Sequence, residues 1–150
     1  MCLTAKDKII VHNDWLSLRN SVTPDDIGTD AIMAMFKNYP ETKKVFTELR
    51  DHKMKDLPES AVLKDHALKV ASVLDKCVLR LNNLEAFALI VADEGGIHRD
   101  MNIHEKHLRC MTNGYIKEIK RRTKYRWDSG HQRAWERFFE LLIVHLLTGI

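Results

Sequence analysis

Apolar residues recur along most of the chain at spacings of three and four, and strand-type alternation is nowhere sustained. Residues 6–19 read as a first helix, with Ile9, Ile10, Trp15, Leu16 and Leu18 as its apolar positions. Thr23-Pro24-Asp25-Asp26 opens a second: a capping hydroxyl, a proline at the first helical position and acids in the first turn. That helix carries Ile32, Met33, Met35 and Phe36 and must stop near Tyr39, because Pro40 disfavours a helical residue before it. Gly28 sits inside it at a cost of about 1 kcal/mol relative to alanine, which marks close approach by another helix. A short helical turn follows over residues 41–46. Residues 48–56 are polar with few apolar anchors and read as a surface connection of moderate mobility.

Pro58-Glu59-Ser60 starts a third helix that runs to about Leu81. Val62, Val70, Val73, Leu74 and Cys77 mark its buried face, and His66, four residues before Val70, lies on that same face. Asn82-Asn83 breaks the chain, and residues 84–91 are again apolar and helical. Gly95-Gly96 then weakens the helix just before His98, and residues 99–102 form a polar corner. A helix over 103–122 follows, and Trp127-Asp128-Ser129-Gly130 leads into a last one reaching Leu147. The fold class is all-α. The chain, 150 residues, suits one domain spanning 1–150, and a domain of that size buries about 70% of its unfolded surface.

Charge and cysteine content narrow the partners. A formal net charge of +3 is too small to imply a nucleic-acid partner. The one basic concentration, residues 117–126, reads as the C-terminal end of a helix and its connector, where cations suit the macrodipole, rather than as a phosphate or anionic-lipid patch. The run 138–147 is too short to cross a membrane and is interrupted by Glu140 and His145. The start of the chain has neither a signal-peptide nor a myristoylation pattern. Three cysteines without metal-type spacing point to a reducing, cytoplasmic setting.

Eight histidines leave several constellations to weigh. His104, His107 and Cys110 share a spacing that offers zinc three ligands, but nothing is placed to close a structural site and basic residues crowd the run. His12, His52, His131 and His145 have no identifiable partners in sequence. His66 and His98 differ, because each lies on or beside a long apolar helix and the two helices should be antiparallel neighbours. Two histidines from facing helices inside an apolar pocket are a recurring way to hold haem iron. A catalytic signature is lacking: no Gly-rich phosphate loop, nucleophile elbow or paired carboxylates.

The run Met35-Phe36-Lys37-Asn38-Tyr39-Pro40-Glu41-Thr42-Lys43-Lys44-Val45-Phe46 resembles the globin segment that ends the second helix and carries the family's proline and haem-stacking phenylalanine, here Pro40 and Phe46. His66 followed by Val70 is similar to the distal histidine and valine. His98-Arg99-Asp100-Met101-Asn102-Ile103 resembles the proximal histidine and the corner after it. Trp15 matches the first-helix tryptophan, and Gly28 with Ala67 the small pair where the second and fifth helices cross. The likeness covers the chain from about Lys6 onward and is closer to invertebrate, nematode-like members than to vertebrate ones.

The resemblance implies a globin fold of six to eight helices sandwiching haem b (iron protoporphyrin IX). His98 would be the proximal iron ligand. Phe46, Val70, Leu74, Ile103, Leu108 and Met111 would contact the macrocycle, and Lys69 would pair with a propionate. His66 is left with two jobs: hydrogen-bonding a bound diatomic gas, or binding the iron itself to give a hexacoordinate bis-histidine haem. Ile32, where some relatives carry tyrosine, supplies no second distal donor. Glu94 and Gly95-Gly96 make the proximal helix polar and flexible. With the mobile connection over 48–56, these features favour hexacoordination, with a redox or gas-sensing role; the alternative is reversible oxygen binding in a carrier or storage globin. Partners implied are O2, NO or CO, or an electron donor or acceptor. Pairing of subunits through Trp135 and Phe138 competes with their burial in a core. Enzymatic nitric oxide or peroxide chemistry would need an external reductant, and a haem-free interaction module is the remaining class.

Overall fold

The computed structural model describes residues 2–21, 24–100 and 103–148, with the side chains of 24, 25 and 96–100 outside that description. Among the described residues there are six α-helices: α1 (Ala5–Ser21), α2 (Pro24–Asn38), α3 (Ala61–Val78), α4 (Leu84–Asp100), α5 (Glu105–Arg122) and α6 (Ser129–Thr148). Short 3-10 turns at Pro40–Val45 and Met54–Glu59 lie between α2 and α3.

Local chemistry sets most of the helix boundaries. Thr4 and Asp7 cap α1 reciprocally: the Thr4 N–H donates to Asp7 Oδ2 at 2.9 Å, and the Asp7 N–H to Thr4 Oγ1 at 3.0 Å. The Ser60 hydroxyl accepts from the Leu63 N–H, Asn83 Oδ1 from Ala86 and Asp128 Oδ1 from His131, so α3, α4 and α6 each begin on a side-chain cap. Thr23, expected to cap α2, lies outside the described residues.

The helices pack as crossed pairs, α2 on α3 and α5, α6 on α1, α4 and α5. At the α2–α3 crossing a Cβ on Gly28 would stand 2.7 Å from Ala67 Cβ and 2.9 Å from the Tyr115 hydroxyl, so the expected small pair is in place and α5 closes over it. Two apolar clusters result. The larger unites Val11, Trp15, Ile27, Leu74, Phe87, Tyr115, Trp135 and Phe138 with their neighbours from all six helices. The smaller gathers Ile32, Met35, Phe36, Leu49, Leu57, Leu63 and Ala67.

Two buried carboxylates, Asp14 and Asp7, and the half-buried Asp75 tie the larger cluster together. Asp14 accepts from the Trp135 indole at 3.0 Å and from Arg126 Nε at 3.1 Å. Asp75 accepts from the Trp15 indole at 2.7 Å and from two guanidinium nitrogens of Arg19. Asp7 binds Arg137 on α6.

Several expectations need correction. The α4 helix does not weaken at Gly95-Gly96 but continues to Asp100, and Gly95 is buried against the backbone of Leu146. Residues 48–56 are better anchored than their polarity suggests. Leu49 is 1% exposed, Leu57 just beyond them is fully buried, and the Lys43 ammonium donates to the backbone carbonyls of Arg50 and His52. Val62, Ile9 and Leu16 stand exposed rather than on buried faces. Trp135 and Phe138 are core residues, so they offer no surface for pairing subunits. The basic run folds back on the molecule as its helix-end reading requires: Arg121 and Arg122 meet Glu118 and Asp30, and Arg126 meets Asp14. Among the described residues no helix is long and apolar enough to cross a membrane.

Candidate functional site

A row of rings joins α2, the turn after it and α3. Phe36 meets Phe46 edge to face with centroids 5.3 Å apart, and Phe46 meets the His66 imidazole in the same way at 5.2 Å and an interplanar angle of 89°. Pro40 makes this row by ending α2: the short turn it starts swings Phe46 back under α3. Edge-to-face contact places the positive rim of one ring against the negative face of another and fixes the angle between them. Phe36 had only its periodicity to recommend it in sequence; its place in the row follows from the turn at Pro40.

The remaining pocket residues lie mostly with the larger cluster, which Met111 joins to the smaller along a seam. Leu74 and Leu108 are buried in the larger one, and Val70, Ile103 and Met111 pack partly buried against it. Phe46 packs partly buried against the smaller one, and Met111 touches both. His66 is likewise half-buried. Ile32 is fully buried in the smaller cluster and brings an apolar surface, not a donor. Lys69 lies apart from the seam's apolar lining: its side chain is 76% exposed and pairs with Asp65 at 3.1 Å. His98 stands on the last turn of α4, with its side chain outside the described residues; Met101 and Asn102 lie outside them altogether.

His104, His107, His131 and His145 make local structural contacts. His107 Nδ1 accepts the His104 N–H at 3.0 Å at the start of α5. Burial, with Lys106 and His104 adding to it, holds the His107 imidazole below its ordinary value, which suits an acceptor nitrogen. Burial also pushes the Cys110 thiol up, with Glu41 adding to it, away from the thiolate that zinc requires. No group of three or more metal-ligating side chains forms among the described residues. His131 has partners that spacing did not reveal, Asp128 at 2.9 Å and Asp14 at 3.8 Å. His145 stacks edgewise on Phe87. Two shallow clefts beside α1, one lined by Lys8, His12 and Leu79 and the other by Asn13, Arg126 and His131, include none of the expected pocket residues.

The sequence model of the Globin family matches residues 29–146. The chain belongs to the globin family. Among curated relatives, hemoglobin subunit alpha-D of Aythya fuligula is 34% identical over 82 residues, 55% of this chain and 53% of that protein. Cytoglobin-1 of Oryzias latipes is 24% identical over 97 residues, 64% of this chain and 54% of that one. These matches span about half the length of either relative. Of solved structures, a hexacoordinated heme protein from an anhydrobiotic tardigrade superposes with a TM-score of 0.88 at 16% identity, covering 98% of this chain and 94% of that one. The hemoglobin of the botfly Gasterophilus intestinalis superposes at 0.89 and 15% identity, covering 98% of each. Both likenesses concern the fold.

The described residue types fit a haem. The His66 imidazole meets Phe46 edge to face, and Val70, Ile103 and Met111 supply partly buried apolar surface. A flat macrocycle needs apolar contact over its faces and one nitrogen ligand from a helix, and these residue types supply the contact.

Proposed function

We propose that this chain binds haem along the seam between its two apolar clusters, with His98 as the proximal iron ligand and His66 on the distal side. The row Phe36–Phe46–His66 carries the reading, because it fixes an imidazole and a stacking ring at one edge of an apolar seam. When bound, haem iron supplies a site for a diatomic gas or for a one-electron change. Phe46, Val70, Leu74, Ile103, Leu108 and Met111 would hold the macrocycle and exclude water. Lys69 would reach a propionate only by leaving Asp65, an exposed pair of little energetic weight.

For His66 we propose exchangeable coordination of the iron, with roles in redox or gas sensing. Ile32 brings no hydroxyl to stabilise a bound gas, so an incoming gas competes with the imidazole on the strength of one hydrogen bond at most from these two residues. The second reading, an open distal site for reversible oxygen binding, draws support from the anchoring of the chain before α3. Leu49, Leu57 and the Lys43 contacts restrain the segment that would have to yield for His66 to close on iron. In either case the residues bind and exchange a ligand rather than turn over a substrate.

The test is reconstitution with hemin followed by an absorption spectrum of the ferrous, ligand-free protein. Split, sharp visible bands mean that His66 is bound, and one broad band means an open site. Failure to take up hemin, or equal uptake by His98→Ala, overturns the haem reading itself.

A further inference from the structure

The α4 helix lies on α6 along a face with a four-residue repeat: Phe87, Val91 and Gly95, all buried. Phe87 meets Phe138 and His145 edge to face, with centroids 6.3 and 5.7 Å apart. At Gly95 the contact changes kind and becomes backbone on backbone. A Cβ there would overlap the Leu146 carbonyl oxygen and stand only 3.1 Å from its carbon and 3.3 Å from its Cα. Any side chain would force α4 away from α6 by roughly 1 Å to restore an ordinary carbon–oxygen separation. His98 follows one turn later on the same helix.

We infer that Gly95 is the positioning residue for His98, and that the last turn of α6 is the surface against which the height of the proximal helix is set. The inference rests on the assignment of His98 to the iron. A helix interior is a poor place for glycine, since it forgoes about 1 kcal/mol of intrinsic helix preference. The close approach to Leu146 explains why the position carries one. Contacts at Phe87 and Val91 are made by side chains that can adjust their rotamers; the contact at Gly95 has no such freedom. Of Phe87, Val91 and Gly95, it is therefore the position where the distance between the two helix axes is set by main-chain atoms. Contacts outside a metal's ligands orient those ligands, so the carbonyl of Leu146 would bear on His98, and through it on a bound iron, by way of one turn of α4.

The experiment compares Gly95→Ala with wild type after hemin reconstitution. It reads the iron–imidazole stretching band of the five-coordinate species made by photolysing the CO complex, a state reached whether or not His66 binds iron. The expected result is a shifted band together with haem loss about 10-fold faster, the usual scale for disturbing a metal ligand's support. Asp14→Ala, which loosens α6 from α1 instead, is the reference and should leave the band in place. An unmoved band in Gly95→Ala, or the same shift in both variants, overturns the inference. Should Gly95→Ala fail to fold by circular dichroism, a chain ended after His145, which removes the Leu146 carbonyl without adding an atom to the contact, must move the band. Loss of the band only in the glycine variant is distinct from its absence in wild type or its persistence in His98→Ala, which would instead remove His98 as the ligand.

Discussion

Asp14 offers the sharpest test of how the larger cluster is held. Its carboxylate is 4% exposed and accepts from the Trp135 indole at 3.0 Å and from Arg126 Nε at 3.1 Å, joining α1 to α6 and to the connector before it. Replacement by alanine leaves the indole N–H, on a residue only 1% exposed, without its acceptor. An unsatisfied buried donor costs about 1–3 kcal/mol. Arg126 is 29% exposed and can turn to water, so losing its partner adds about 1 kcal/mol at most. The sum, about 3 kcal/mol, corresponds in a chain of this size to a fall in Tm of roughly 6–12 °C. The asparagine variant is milder: Asp14→Asn keeps an oxygen facing the indole, and a neutral acceptor retains about half the strength of a charged one, so the loss falls to about 1–1.5 kcal/mol. Thermal and urea unfolding followed by far-ultraviolet circular dichroism measure both. A cycle with Trp135→Phe, which removes the donor, should make Asp14→Ala markedly less costly. Equal losses for the alanine and asparagine variants, or additivity with Trp135→Phe, would refute the assignment of the cost to the orphaned indole.

Two further outcomes follow from the same kind of reasoning. Burial pushes the Asp7 carboxyl up, but hydrogen bonds from the Thr4 backbone and from Arg137 outweigh it and leave Asp7 below its ordinary value; its stabilising effect is therefore present above about pH 4 and lost as the pH falls through the lowered folded value, so Asp7→Asn should flatten the acid limb of a stability-against-pH curve. Lys43→Met removes the ammonium from the carbonyls of Arg50 and His52, and amide hydrogen exchange across residues 46–52 should speed up severalfold while α1 and α6 keep their protection.

Much of this fold is legible in local chemistry, and the limits of that legibility have identifiable causes. The stop before Pro40, the break at Asn82-Asn83 and the small pair Gly28–Ala67 each depend on residues near in sequence or on a preference strong enough to act alone. The persistence of α4 through Gly95-Gly96 does not, since the partner that makes glycine acceptable there is the backbone of Leu146, far along the chain. The same holds for Asp14 with Trp135, Asp75 with Trp15 and Asp7 with Arg137, ion pairs and indole contacts that no periodicity announces. Polarity misled over residues 48–56 because one leucine within the stretch, a second just after it and a lysine from the preceding turn do the anchoring. At the seam, the residue types of Phe46, His66, Val70 and Met111 were readable, and the structure adds the edge-to-face angle between the first two. Lys69 was readable as a cation near the pocket but not as one already committed to Asp65.

The division into two clusters also decides what light can report about this protein. Trp15 and Trp135 are buried in the larger cluster and Trp127 packs against it, whereas the smaller cluster, with Phe36, Phe46 and their neighbours, holds no tryptophan. Intrinsic emission therefore watches one side of the seam and is blind to the other. An apoprotein whose smaller cluster melted first would lose helix signal while its fluorescence stayed native, and coincident curves would mean that the two halves stand or fall as one.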